Sequence, residues 1–179
     1  MELIHEEAIR EETLLDIAKK MMIAARTAPK GRGVDNLVIS VVRRATMDKI
    51  AEKMREMVRD GVAAQFFLRD ADNILSGEVL FLIGTKIQSM GLNPCGLCGF
   101  DNCQEKDKNP DHPCAFNTGD LGIAIGSAVS VAMDARVDNR IMFSVGMAAR
   151  EMKLLGEDVR IIYGIPLSSG GKNPFFDRK

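Results

Sequence analysis

The chain of 179 residues holds four cysteines, and all of them fall between Cys95 and Cys114. Two residues separate Cys95 from Cys98, four separate Cys98 from Cys103, and ten separate Cys103 from Cys114. Thiols scattered for core packing do not bunch in this way, so one shared partner is expected. A Cys-x-x-Cys turn reverses the chain and lets two thiolates face a single centre, and two further thiols complete four-coordination. That donor set suits an iron–sulfur cluster or a structural zinc. Zinc usually sits between two short knuckles, either a second C-x-x-C or an H-x-x-x-H. Here one knuckle is followed by two lone cysteines, a tight trio with a distant fourth, which is the habit of a cubane [4Fe–4S] centre. Zinc at the same four residues stays open as the alternative. A disulfide is not expected, because nothing marks the chain as secreted.

The residues around the cysteines point the same way. Gly96 and Gly99 each follow a cysteine, and glycine lets backbone N–H groups approach inorganic sulfide closely. Pro94 and Pro113 stiffen the approach to Cys95 and Cys114. His112 could replace a ligand, although a solvent-facing loop histidine is the simpler reading.

A second motif lies upstream. Thr27-Ala-Pro-Lys-Gly-Arg-Gly33 is a small basic glycine loop, in which Arg26, Lys30 and Arg32 could hold a phosphate with help from glycine N–H groups. Its spacing is not that of a P-loop, and it follows a helix, which excludes a Rossmann fingerprint. A solvated turn explains the same residues without a ligand. Only two histidines are present, His5 and His112, and no Ser–His–Asp set is suggested. Chemistry beyond electron transfer would therefore belong to a cofactor.

The elements that must position these motifs follow from periodicity. Apolar residues at helical spacing predict a helix over His5–Arg26. Leu37–Val42 reads as a buried strand. Thr46 is expected to cap a helix over Met47–Arg59 that ends at Gly61, with a further helix within Ala63–Leu75. Glu78–Gly84 is a second strand. Asp101–Asn117 is polar enough to be a surface loop ordered by the metal. Asp120 then opens a helix of small residues, Asp138-Asn139 breaks it, Ile141–Leu155 forms another helix, and Arg160–Gly164 is a third strand before an exposed tail.

Composition bounds the rest. Apolar residues make up 46% of the chain and the mean hydropathy is −0.03, so one soluble globular domain over 1–179 is expected. Lys plus Arg number 24 against 25 Asp plus Glu, which gives no electrostatic case for nucleic acid. The acidic start is unlike a signal peptide, and the longest apolar stretch is too short to span a bilayer. A cytoplasmic protein with no membrane segment is the expectation.

Two resemblances extend this reading. Residues 94–114 resemble the Cys-Gly-x-Cys-Gly…Cys…Cys four-iron domain of corrinoid iron–sulfur proteins and membrane electron-transport complexes. That likeness implies a low-potential [4Fe–4S] centre held by Cys95, Cys98, Cys103 and Cys114. The order of elements is similar to the flavin-binding nitroreductase-like fold. Ala24-Ala-Arg-Thr-Ala-Pro-Lys-Gly with Asn36-Leu-Val-Ile-Ser-Val-Val, Gly119-Asp-Leu-Gly-Ile-Ala-Ile-Gly-Ser-Ala-Val, and Ile161-Ile-Tyr-Gly-Ile-Pro carry the likeness. It implies an α+β sandwich with the cysteine loop as an insert, a homodimer, FMN near the dimer interface, and reduction of small electron acceptors. Carried over by position, Arg26, Thr27, Lys30, Gly31 and Arg32 face the flavin, and Lys172 or Arg178 reaches its phosphate. The family's Arg-Arg-Ser phosphate grip and its Pro-Trp are absent here. The combination most resembles ferredoxin-domain proteins of the DUF2148 type.

The expected function is therefore iron–sulfur redox chemistry, passing single electrons to a flavin, a redox partner protein or a small acceptor. The alternative is a non-enzymatic binding or sensing module, in which zinc or a cluster only staples the Asp101–Asn117 loop. Cluster delivery to other proteins is a third reading.

Overall fold

Neither of the strongest apolar runs can bury its backbone alone, and in the fold they pair. The computed structural model describes residues 3–176. Strand β1 (Leu37–Val42) lies antiparallel to β2 (Val79–Lys86), β2 to β4 (Val159–Ser168), and β4 to the two-residue β3 (Asp138–Asn139), giving the order β1-β2-β4-β3. Helices α1 (Glu6–Thr27), α2 (Arg44–Arg59), α3 (Phe66–Leu75), α5 (Ala115–Asp134) and α6 (Phe143–Glu151) cover the two faces, and the short α4 (Cys103–Asp107) lies in the segment between β2 and α5.

Strand β2 is the centre of the molecule because both its faces are apolar. Val79, Phe81 and Ile83 pack with α1 and α5, while Leu80 and Leu82 pack with α2, α3 and α6. All five are fully buried, as alternation across a doubly covered strand requires. The result is the expected α+β sandwich with two apolar cores. The tightest contact is that of α6 on β4: a Cβ added at Gly146 would stand 1.7 Å from the Ile162 carbonyl oxygen. Among the described residues no helix is long and apolar enough to cross a membrane.

Several local expectations are corrected. Thr46 does not cap α2, which starts at Arg44; the chain leaves β1 and turns at once into helix, so Thr46 already lies inside it. Helix α5 begins at Ala115, five residues before Asp120, because Asp120 bonds to another segment and not to its own helix terminus. The helix expected over Ile141–Leu155 is confined to Phe143–Glu151. Helix α5 ends at Asp134, with Arg136 at φ 61°, before Asp138-Asn139, which pairs with Ser168 and Leu167 as β3. Strand β4 runs on to Ser168, since its pairing with β2 continues through Pro166.

This topology sets what can meet. The start of β1 and the end of β2 lie side by side, with Leu37 opposite Thr85. The glycine loop before β1 and the cysteine loop after β2 therefore emerge at one end of the sheet. Leu167 pairs with Val79, so the tail after β4 leaves from the other end, roughly 25 Å away at the usual strand rise.

Candidate metal centre

Three local structures present the four cysteines. Cys95 and Cys98 sit on a turn closed by the Gly99 N–H donating to the Gly96 carbonyl at 2.9 Å. Gly96 and Gly99 have φ of 115° and 89°, a region that side chains avoid. The peptide bond Asn93–Pro94 before the turn is cis. Cys103 is the first residue of α4, whose start is fixed by Asn102 Oδ1 accepting the Glu105 N–H at 2.9 Å. Cys114 is the N-cap of α5 and is buried. The positive end of a long helix, with its unpaired N–H groups, is thus brought to the thiols, a placement that favours an anionic occupant.

All four cysteines are free and all four line one cavity, together with Met90, Lys106 and Phe116. The free volume inside it is small, about 10 Å³. Among the described residues no trio of His, Cys, Asp or Glu side chains closes on a point that could hold a single metal ion.

The loop carrying them is tied down at several points. The Gln88 N–H donates to Asn117 Oδ1 at 2.7 Å, and Asn117 is only 1% exposed. Arg32 Nη1 donates to the Met90 carbonyl at 2.6 Å. His112 is exposed; its Nε2 faces the Cys98 carbonyl at 3.0 Å and its ring stands edge-on to Phe100. Arg160 pairs with Asp111 across to β4.

The glycine loop meets this site, but its polar groups are committed within the chain. Arg26 Nη1 donates to Asp35 Oδ2 at 2.6 Å and to the Leu37 carbonyl at 3.1 Å. Thr27 Oγ1 donates to the Ile23 carbonyl at 3.1 Å. Lys30 Nζ donates to the carbonyls of Ala25 at 2.8 Å, Ala28 at 2.7 Å, and Arg26; its side chain is 5% exposed. The Gly31 N–H donates to both carboxylate oxygens of Asp120, at 3.0 and 3.1 Å. Burial pushes the Asp35 carboxyl up, but the hydrogen bonds from Arg26 and Leu37 and the Arg26 and Lys30 charges outweigh it and hold the group below its ordinary value. A carboxylate thus occupies the donor at Gly31 that a phosphate oxygen would need. Lys172 lies beyond β4, at the end of the sheet away from this loop, and Arg178 lies outside the described residues.

Beside the cysteines is a second hollow, open and almost wholly apolar, of about 380 Å³. Pro29, Lys30, Gly31, Phe116, Gly119 and Ile123 are among the residues that wall it. Ala115 and Phe116 line both spaces, so one turn of α5 separates them.

Lys106, Asn117, Asp120 and Phe116 were not legible as site residues. The stretch 101–120 is mostly polar, and no local pattern marks which of its side chains turn inward.

The family described as "Uncharacterized protein containing a ferredoxin domain (DUF2148)" matches residues 111–178, a span that takes in Cys114 and not the other three cysteines. An uncharacterized protein of Archaeoglobus fulgidus is 41% identical over 184 residues, covering 98% of this chain and 97% of its own. Among solved structures, a BluB-like flavoprotein from Clostridium difficile 630 superposes with a TM-score of 0.58 at 21% identity, covering 88% of this chain and 81% of that one. An FMN and NADPH-dependent nitroreductase from Sphigopyxis sp. strain HMH, solved as a mutant, gives a TM-score of 0.62 at 10% identity, covering 92% and 82%. At such identities the likeness is one of fold, and the sandwich is nitroreductase-like.

Proposed function

The chain belongs to the DUF2148 family of ferredoxin-domain proteins, and from that premise we propose that it is an iron–sulfur electron-transfer protein with a [4Fe–4S] cluster on Cys95, Cys98, Cys103 and Cys114. The observation that carries the reading is the single cavity lined by all four thiols. One knuckle followed by two lone cysteines departs from the paired knuckles of a structural zinc and suits a polynuclear core better. When bound, such a cluster supplies one-electron transfer at a potential set by hydrogen bonds, charge and exposure. The chain's own part is to hold four thiolates, to aim the N-terminus of α5 at them, and to limit water with Met90 and Phe116.

The adjoining apolar hollow is where we place the flavin ring of an FMN, with Lys30 and Gly31 on one wall and Phe116 between it and the cluster. Arg26, Thr27 and Arg32 shape that wall through the bonds described above. Lys172 contributes only from a second copy of the chain. We propose that this copy docks on α5, whose face of Gly122, Ile123, Gly126, Ser130 and Met133 is exposed, making a homodimer. A redox partner protein or a small acceptor in a reducing cytoplasm completes the scheme. Dithionite titration of anaerobic protein followed by electron paramagnetic resonance tests it, with acid extraction for flavin. Bleaching on reduction, a paramagnetic signal and released FMN are expected. Iron that cannot be reduced, with no flavin released, would leave the cluster as a staple in a binding or sensing module.

A further inference from the structure

Lys106 is 3% exposed and lines the cavity shared by the four cysteines. Burying an ammonium is costly unless an anion and hydrogen bonds replace its water. Among the described residues its only counter-charge is Asp107 Oδ1, at 3.7 Å, on a side chain that is 58% exposed. Such a contact is too long for a hydrogen bond, and solvent screens its carboxylate. The neighbouring Lys108 makes the contrast: it is 68% exposed and pairs with Glu105 at 2.8 Å. One lysine of α4 is a surface residue with a surface partner. The other is buried against a space that four thiols face, with no closer anion among the described residues.

We infer that Lys106 is a positioning residue for charge, the fixed counter-ion of the cluster, and that it sets the reduction potential. The inference rests on the electron-transfer reading above. A core on four thiolates is net negative, and reduction makes it more so. In that step one electron enters from a one-electron reductant and no covalent bond forms or breaks. The added charge is met by an ammonium already in place. Low local dielectric strengthens that attraction relative to water, so the reduced state gains more than the oxidised state.

The test is a spectroelectrochemical titration of the full-length, cluster-loaded protein as wild type, Lys106→Met, Lys106→Arg and Lys108→Met. Lys106→Met is expected to lower the one-electron reduction constant about tenfold, a midpoint about 59 mV more negative. Lys106→Arg retains the wild-type midpoint and Lys108→Met leaves it unmoved. A Lys106→Met protein with an intact cluster and an unchanged midpoint overturns the inference, as does an equal shift in Lys108→Met. A second measurement needs no cluster in the variant. The metal-free Lys106→Met chain should melt at a higher temperature than the metal-free wild type, because an unmatched charge has been replaced by an apolar group of similar length. A lower melting temperature overturns the inference. Wild type without iron ends the electron-transfer reading itself; iron-loaded wild type with an unshifted variant ends only the role of Lys106.

Discussion

The glycine loop and the cysteine loop meet at the same end of the sheet, and both look in the sequence like ligand sites. They differ in what is left over after folding. In the glycine loop Arg26, Lys30, Arg32 and the Gly31 N–H all have protein partners. In the cysteine loop four thiols and one ammonium face a cavity. Donors that the fold has already matched make a scaffold, because recruiting them for a ligand means breaking bonds worth about 1 kcal/mol or more each. Donors left facing a common space make a site. The basic loop is then the clamp that holds the cysteine loop, through Arg32 and Met90, and forms one wall of the hollow beside it.

The contrast can be broken most severely at the thiols. Cys114→Ala, or the same change at Cys95, Cys98 or Cys103, is expected to abolish metal retention, measured as iron per chain, while far-ultraviolet circular dichroism keeps its helical signal. Removing the metal by chelation should expose the turn that carries Cys95 and Cys98, residues 91–102, to protease and leave α4 and the two cores protected, since metal binding orders the loop that supplies its ligands. Gly146→Ala is the opposite experiment. Its methyl meets the Ile162 backbone, so a loss of about 3 kcal/mol is expected in chemical denaturation, with iron content per folded chain unchanged.

Smaller effects sharpen the role of the glycine loop. Arg32→Ala removes a charged donor from the Met90 carbonyl and should cost about 1.5–3 kcal/mol, read as faster cluster loss at a given temperature. Asp120→Asn weakens the acceptor for Gly31 and should cost about 1 kcal/mol. If the glycine loop were a phosphate cradle, the same Asp120→Asn change would instead tighten binding of inorganic phosphate, which isothermal titration would detect. The smallest effect concerns acid. Asp35 titrates below its ordinary value of 3.8, so its bonds to Arg26 and Leu37 stabilise the fold fully above that value. The contribution fades as the pH falls from there through the depressed folded value. Asp35→Asn should flatten that part of the acid-unfolding curve.

The comparison also explains which parts were legible in the sequence. The grouping of the four cysteines was, because cysteine is scarce and its spacing allows few readings, and all four line one cavity. Strands β1 and β2 were, because short apolar runs can only be buried. The start of α5 was not: Asn117 and Asp120 look like loop and cap residues, and only long-range bonds to Gln88 and Gly31 reveal them as helical. Lys106 was hidden for the same reason, since burial of a lysine depends on what folds over it. The glycine loop was half legible. Its turn, with Arg32 at φ 54°, and the local partners of Arg26 and Lys30 follow from nearby residues, but the Met90 carbonyl that takes Arg32 and the Asp120 carboxylate that takes the Gly31 N–H come from segments about 60 and 90 residues further along.

The central claim is that the four thiols hold an iron–sulfur core and that Lys106 balances it. Metal and acid-labile sulfide analysis with a visible spectrum, on protein purified without oxygen, tests its first half most directly. The account predicts about four iron and about four sulfide per chain with broad visible absorbance, as a [4Fe–4S] centre requires. One zinc per chain and a colourless protein would contradict it and leave a stapled loop on a nitroreductase-like sandwich.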